Sequence, residues 1–215
     1  KIYHGHYIDC YKNEVSREEA RKRLNIDQKA FVYLAIGSIQ PYKGHRDLID
    51  SFSSTAKSED ILLIAGGGSQ HFLKQIEDHA SMQQSKTKGT IRLIPNFVPD
   101  NEFQYFFNAA DVSVFPFRKV LNSGSVLLAM SFGNPIIAPK LGSIPEIVIP
   151  GHYFGYSSVE NQLHHLANAL QEAKNQISDL SNPTKTKKHL IDCIRRRYCW
   201  SKIGSELNSW YDNLI

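Results

Sequence analysis

The sequence predicts an α/β chain: an open parallel β-sheet with helices on both faces. Three observations carry this. Short apolar runs alternate with helical stretches, the connections between them are short, and the first of the runs, Phe31–Ile36, is apolar at every position. A strand without polar alternation is buried on both faces, as in a parallel sheet covered by helices on each side. Strand–helix alternation with short loops then implies right-handed crossovers.

The elements follow in order. Residues 1–13 hold His4-Gly5-His6 and three tyrosines without a period, and read as a connecting segment. Ser16 followed by Glu19 is a capping-box pair, so a short helix runs through residues 20–24 and ends near Asn25. Phe31–Ile36 is the first strand, residues 37–44 a turn, and residues 45–52 a helix. A second strand at 61–65 ends in Gly66-Gly67-Gly68, and a helix over 70–83 follows. Thr90–Ile94 is a third strand, and 95–100 a turn in which Asp100 caps a helix at 101–108. Residues 112–115 form the fourth strand, 125–132 a helix and 136–138 the fifth strand. Pro145 opens a short helix over 145–148, since proline suits a first turn, and 152–156 is a sixth strand. Amphipathic helices close the chain near 160–177, 183–197 and 201–214.

At 215 residues, with 41% hydrophobic and 21% charged residues, the composition is that of an ordinary globular protein. A net charge of +4 suits anionic ligands, but dispersed Lys and Arg residues argue against a nucleic-acid face. Three scattered cysteines, Cys10, Cys193 and Cys199, fit neither a disulfide framework nor a zinc site and suit a reducing, cytoplasmic compartment. There is no run of 18 apolar residues and no signal-peptide pattern. The chain begins at Lys1 and reads as part of a longer protein.

Ligands of open α/β sheets bind outside the carboxyl ends of the strands. The loops there begin at Gly37, Gly66, Asn96, Pro116 and Pro139, and four of the five are rich in Gly, Ser or Asn. Two invite an anion. Gly37-Ser38 through Lys43-Gly44 places a lysine beside a helix start, where it can join free N–H groups on a phosphate. It is neither a Walker A loop nor Gly-x-Gly-x-x-Gly. Asn122-Ser123-Gly124-Ser125 opens an apolar helix with a good N-cap, a glycine and no carboxylate. Either segment read alone also fits an ordinary turn.

Several segments recur in one order: Gly37 with Lys43-Gly44, Ile64-Ala65-Gly66-Gly67-Gly68, Asn96-Phe97-Val98-Pro99-Asp100 and Asn108-Ala109-Ala110-Asp111-Val112. Leu128 through Ala138 and Leu141 through Val148 complete the series. Together they resemble the C-terminal half of the group 1 (family 4) glycosyltransferases of the GT-B fold, from about Phe31 onward. The resemblance implies a Rossmann-like donor-binding domain over 28–215. Residues 1–27 would connect it to an N-terminal acceptor domain. It also implies retaining, metal-independent transfer from a nucleotide-diphosphate sugar, UDP- or GDP-linked foremost, to a saccharide or lipid-linked acceptor. By position, Lys43 and Gly37 meet the diphosphate, with Ser38 following. Gly66 and Gly67 leave room for ligand, and Asn96, Phe97 and Val98 meet the base. Asn122, Ser123, Gly124 and Ser125 meet the phosphates and sugar. Bacterial surface polysaccharide assembly at the inner face of the cytoplasmic membrane is the setting it suggests.

The departures are specific. Ser38 stands where many members carry arginine, and Val120 and Leu128 stand where the family has two glutamates eight apart. The sequence resembles a subset in which a Ser-Gly-Ser loop replaces the usual Glu-Gly-Phe-Gly. Removing a carboxylate beside a diphosphate relieves repulsion, while the sugar-holding carboxylate is lost. A nucleotide-sugar-binding module without catalysis is therefore a second reading, and a sugar-nucleotide epimerase of the same architecture a third. Glu146 reads as a ligand contact or a first-turn carboxylate favouring the helix dipole. Arg118 and Lys119 read as phosphate partners or a solvated turn. His4, His6, His164 and His165 lack metal-ligand spacing. Arg195-Arg196-Arg197 before Tyr198 and Trp200 reads as a solvated helix end or a membrane-facing or interdomain patch.

Overall fold

The computed structural model of the protein describes residues 3–212. Its strands are β1 (Phe31–Ile36), β2 (Asp60–Ala65), β3 (Thr90–Ile94), β4 (Val112–Val114), β5 (Ile136–Pro139) and β6 (Tyr153–Tyr156). All pair in parallel in the order β3-β2-β1-β4-β5-β6. The helices are α1 (Arg17–Arg23), α2 (His45–Thr55), α3 (Gln70–Gln84), α4 (Phe103–Ala109), α5 (Gly124–Ser131), α6 (Ile144–Ile147), α7 (Gln162–Ser178), α8 (Pro183–Arg197) and α9 (Trp200–Asp212).

Every residue of β1 is buried, as its unbroken apolar run requires. Alternate side chains go to opposite faces. Val32, Leu34 and Ile36 join the core made with Ala20 of α1, Phe107 of α4, Met130 of α5 and Leu190 of α8. Phe31, Tyr33 and Ala35 join the other, with Leu48 of α2, Ile76 of α3 and Leu166 of α7. Each fully buried Leu or Ile contributes about 1.5–3 kcal/mol relative to exposure, so the helices are held on both faces of the sheet.

Element boundaries depart from the sequence reading in a few places. The capping box forms, with Ser16 accepting from the Glu19 N–H and the Glu19 carboxylate accepting from the Ser16 N–H, and α1 starts at Arg17. Asp100 caps nothing. Residues Asp100–Glu102 are a 3-10 turn, with the Glu102 N–H on the Pro99 carbonyl at 2.9 Å, so α4 begins at Phe103 without a side-chain cap. The β4 strand stops at Val114, although the Phe115 N–H still reaches the Ile137 carbonyl at 2.8 Å. Residues 213 and 214, assigned to the last helix, lie outside the described residues.

The aperiodic N-terminal stretch has fixed partners. The His6 N–H bonds the Tyr198 carbonyl at 2.9 Å, the Tyr7 N–H bonds Ser131 Oγ at 3.1 Å, and Trp200 Nε1 donates to the His6 carbonyl at 2.9 Å. The basic run of α8 is partly spent as well: Arg197 donates to the Val148 and Glu146 carbonyls, and Arg195 pairs with Asp9 at 3.5 Å.

At the amino ends of the strands Arg21 is wholly buried. Its Nε and Nη1 donate to the carbonyls of Ala109, Asp27, Gln28 and Ala30, and its Nη2 pairs with Asp111 at 2.9 Å. Asp111 also accepts from the Val32 N–H at 2.7 Å and pairs with Arg17 at 2.7 Å.

Candidate functional site

The chain reverses direction across the sheet between β1 and β4, and an open α/β sheet has its ligand crevice at that switch point. The loops leaving β1 and β4 are tied together there. The Arg118 N–H donates to the Tyr42 carbonyl at 2.9 Å. Gly44 has φ +70°, and a Cβ on it would lie 2.0 Å from the Pro116 carbonyl oxygen, so only glycine lets the two loops close.

The loops after β2 and β3 support the first of these from the side. Gly66 has φ +154°, and a Cβ there would lie 1.8 Å from the Gly37 carbonyl oxygen. Backbone against backbone therefore accounts for the glycine at 66. The Ile39 N–H bonds the Gly67 carbonyl at 2.7 Å, and a Cβ on Gly67 would come 3.4 Å from the Phe97 nitrogen. Asn96 and Phe97 are exposed beside it, Phe97 at 77%. Val98 is different: its side chain is buried in the core, so only its main chain is left for a ligand.

Between the tied loops lies a cavity of about 540 Å³. Lys43, Asn122, Ser123, Gly124 and Ser125, five of the residues singled out from sequence, line it together. Tyr42, Phe117, Lys119, Val120 and Leu121 complete the wall. None of the lining residues is a carboxylate.

Lys43 follows from the local fold. Pro41 starts a 3-10 turn over Pro41–Lys43 that ends in left-handed Gly44, and this folds the lysine back over the end of β1. Its Nζ lies 3.4 Å from where a Cβ on Gly37 would stand. The ammonium is half-buried, and among the described residues it makes no hydrogen bond or ion pair. Burial lowers its pKa, the direction expected of a cation with no counter-charge. His45 next to it is buried and pushed down to about 4, first by burial and then by Lys43, so the imidazole is neutral at pH 7.

Opposite Lys43 stands the start of α5. Ser123 is its N-cap: Oγ accepts from the Val126 N–H at 3.3 Å, which leaves the hydroxyl proton to donate. The N–H groups of Gly124 and Ser125 have no intrahelical acceptor and border the cavity. Lysine, hydroxyl and free N–H groups are all donors, and carboxylates are absent from the lining, so the cavity suits an anion with several oxygen acceptors.

Arg118 and Lys119 part company. Arg118 makes a bidentate pair with Asp47, 2.6 Å on each arm, while Lys119 lines the cavity. Val120 is also in the wall, whereas Leu128 packs half-buried against the core. Glu146 lines a second cavity of about 640 Å³ that shares Asn122, Ser123 and Gly124 with the first. Tyr7, from the stretch without a period, reaches this rim: its Oη lies 3.0 Å from a Cβ position on Gly124. Tyr42 belongs to the Gly37–Gly44 loop singled out from sequence, though not by its own side chain; Tyr7, in the stretch without a period, gave no signal. Among the described residues there is no group of three side chains able to hold a metal ion, and no helix is long and apolar enough to cross a membrane.

The chain as a whole is similar to known proteins. The model of the family described as "Glycosyl transferases group 1" matches residues 16–189. A GDP-mannose:glycolipid 4-beta-D-mannosyltransferase of Xanthomonas campestris is 28% identical, over 72% of this chain and 42% of its own length. A lipopolysaccharide 1,2-N-acetylglucosaminetransferase of Salmonella typhimurium is 25% identical, over 98% of this chain and 56% of its own length. The chain thus spans about half the length of these relatives. Among solved structures, HepE of Anabaena in complex with UDP and glucose superposes with a TM-score of 0.78 at 19% identity, over 99% of this chain and 56% of that one. The C-terminal domain of the Francisella tularensis group 1 glycosyl transferase LpcC gives 0.65 at 21% identity, over 87% of this chain and 95% of that one.

Proposed function

The chain belongs to the glycosyl transferases group 1 family, and from that premise we propose that it is the donor-binding half of a glycosyltransferase. It takes a nucleotide-diphosphate sugar, UDP- or GDP-linked, in the crevice between β1 and β4. The transfer is retaining and independent of metal. The acceptor, a saccharide or a lipid-linked saccharide, is held by a separate N-terminal domain joined through residues 1–27, with 28–215 forming the donor domain. Names of relatives acting on a glycolipid and on lipopolysaccharide favour bacterial surface polysaccharide synthesis, on the cytoplasmic side of the membrane.

One observation carries the reading: Lys43 brings a half-buried ammonium, without a partner among the described residues, to a cavity whose other wall is the open start of α5. As the bond to the sugar breaks, negative charge grows on the leaving diphosphate. Donors already in place at Lys43, Ser123, Ser125 and the free N–H groups stabilise that charge without reorganising. The base lies toward Gly67, Asn96, Phe97 and the main chain of Val98, and the phosphates lie over Gly37, Ser38 and Gly66.

A cavity wall with Val120 and without a carboxylate favours a second reading, a nucleotide-sugar-binding module without transfer activity. Calorimetric titration with UDP, GDP and ADP tests the first claim. One of the three binds, and both Lys43→Ala and the Ser123→Ala/Ser125→Ala pair weaken it. Failure of all three to bind the full-length protein overturns the donor reading. Binding without turnover in the full-length protein selects the second reading.

A further inference from the structure

A third cavity, of about 200 Å³, opens at the opposite edge of the sheet, by the amino ends of β4 and β5. Arg17, Lys187, Asp111, Thr184 and Thr186 are among its lining residues. Its charges do not balance. Asp111 is the one carboxylate among the charged groups that act on Lys187, against the cations Arg17 and Arg21. Both Asp111 oxygens are already committed, Oδ1 to Arg17 and Oδ2 to Arg21 and the Val32 N–H. With Asp27 the second carboxylate acting on Arg21, three cations stand against two carboxylates and one positive charge is in excess.

Arg21 spends its charge on carbonyls and Asp111, but Lys187 does not. Of its three ammonium protons, one meets the Phe107 carbonyl at 3.2 Å, and no other partner is present among the described residues. We propose that this cavity binds one phosphate dianion between Lys187 and Arg17. Phosphate oxygens can accept from the free ammonium protons of Lys187 and from Arg17, and the cavity has room for free phosphate or the head of a small phosphate monoester, but not for a nucleotide. Burial foremost, with Arg17 and Arg21 adding and Asp111 opposing, pushes the Lys187 ammonium down to about 8, a strain that an anion would relieve. The inference does not rest on the donor reading, since no residue is shared between the two cavities.

The test is calorimetric titration of the chain with inorganic phosphate and, separately, with glycerol phosphate, repeated on Lys187→Met, Arg17→Gln and Lys43→Ala. In Lys43→Ala, where the donor cavity has lost its ammonium, at least one of the two ligands still binds with one-to-one stoichiometry; which one tells free phosphate from a monoester. Lys187→Met and Arg17→Gln each weaken it about tenfold or more, the loss expected for one charge-assisted hydrogen bond, and Lys43→Ala leaves it unchanged. If Lys187→Met does not fold, half-exposed Arg17→Gln decides alone. Absence of binding at millimolar ligand overturns the proposal. So does binding that Arg17→Gln leaves intact, or binding that Lys43→Ala removes.

Discussion

Arg21 at the amino edge of the sheet and Lys43 at the carboxyl edge show two opposite treatments of a buried cation. At the amino edge Arg21 is wholly buried, and each of its nitrogens is engaged by a carbonyl or by Asp111. At the carboxyl edge Lys43 is half-buried and has no partner among the described residues. Burying a charge is expensive unless it is paired. A cation with every nitrogen engaged holds the fold together, and one left unspent beside free helix N–H groups is set aside for something outside the chain. Arg118 and Lys119 repeat the lesson within two adjacent residues, the first locked to Asp47 and the second facing the cavity.

If that contrast is right, the largest effect comes from the spent cation. Arg21→Met removes one of the two arginines on Asp111, which is only 10% exposed, and takes the side-chain donor from the Ala109, Gln28 and Ala30 carbonyls. It costs about 3–5 kcal/mol of stability, the range for breaking a buried pair by removing one partner. Urea unfolding measures it. A loss below 1 kcal/mol would mean that the amino edge is not a structural lock.

Acid probes the carboxyl edge next. His45 titrates near 6.5 when unfolded and about 4 when folded. Between those values the unfolded chain takes up a proton that the folded chain refuses. Stability is thus full above pH 6.5 and falls as the pH drops toward 4, by up to about 3 kcal/mol. Unfolding midpoints across this window check it, and His45→Gln flattens the part of the curve that belongs to this residue.

Lys43→Ala gives a smaller number and the sharper contrast. Stability holds within about 0.5 kcal/mol, since no internal partner is lost, while affinity for the bound nucleoside diphosphate drops by about 1.5–3 kcal/mol. Calorimetry on the same samples reads both. A variant that loses stability instead would place Lys43 with Arg21. The smallest effect belongs to Ser123→Ala, which removes the cap of α5 and costs about 1 kcal/mol, seen as a shift of the urea midpoint.

Much of this was legible in the residues themselves. The unbroken apolar run of β1, the glycine loops after β1 and β2, and the Ser123 cap depend on neighbours a few positions away, so pattern reveals them. The rest depends on partners far along the chain. Arg118 finds Asp47 across 71 positions, and Arg21 finds Asp111 across 90. Nothing local distinguishes Arg21 from the other basic residues of α1. Val98 reads like its exposed neighbours Asn96 and Phe97, yet the turn after β3 drops its side chain into the core. Tyr7 is brought to the rim by pairing with Ser131 and by the hold of Tyr198 and Trp200 on His6, contacts that no periodicity announces.

The decisive measurement is a coupling energy at Lys43. Affinities of the bound nucleoside diphosphate and of the corresponding nucleoside are compared in the parent chain and in Lys43→Ala. If Lys43 is reserved for the diphosphate, the substitution weakens the diphosphate by about tenfold or more and leaves the nucleoside unchanged. Equal losses for both ligands, or none for either, would contradict it.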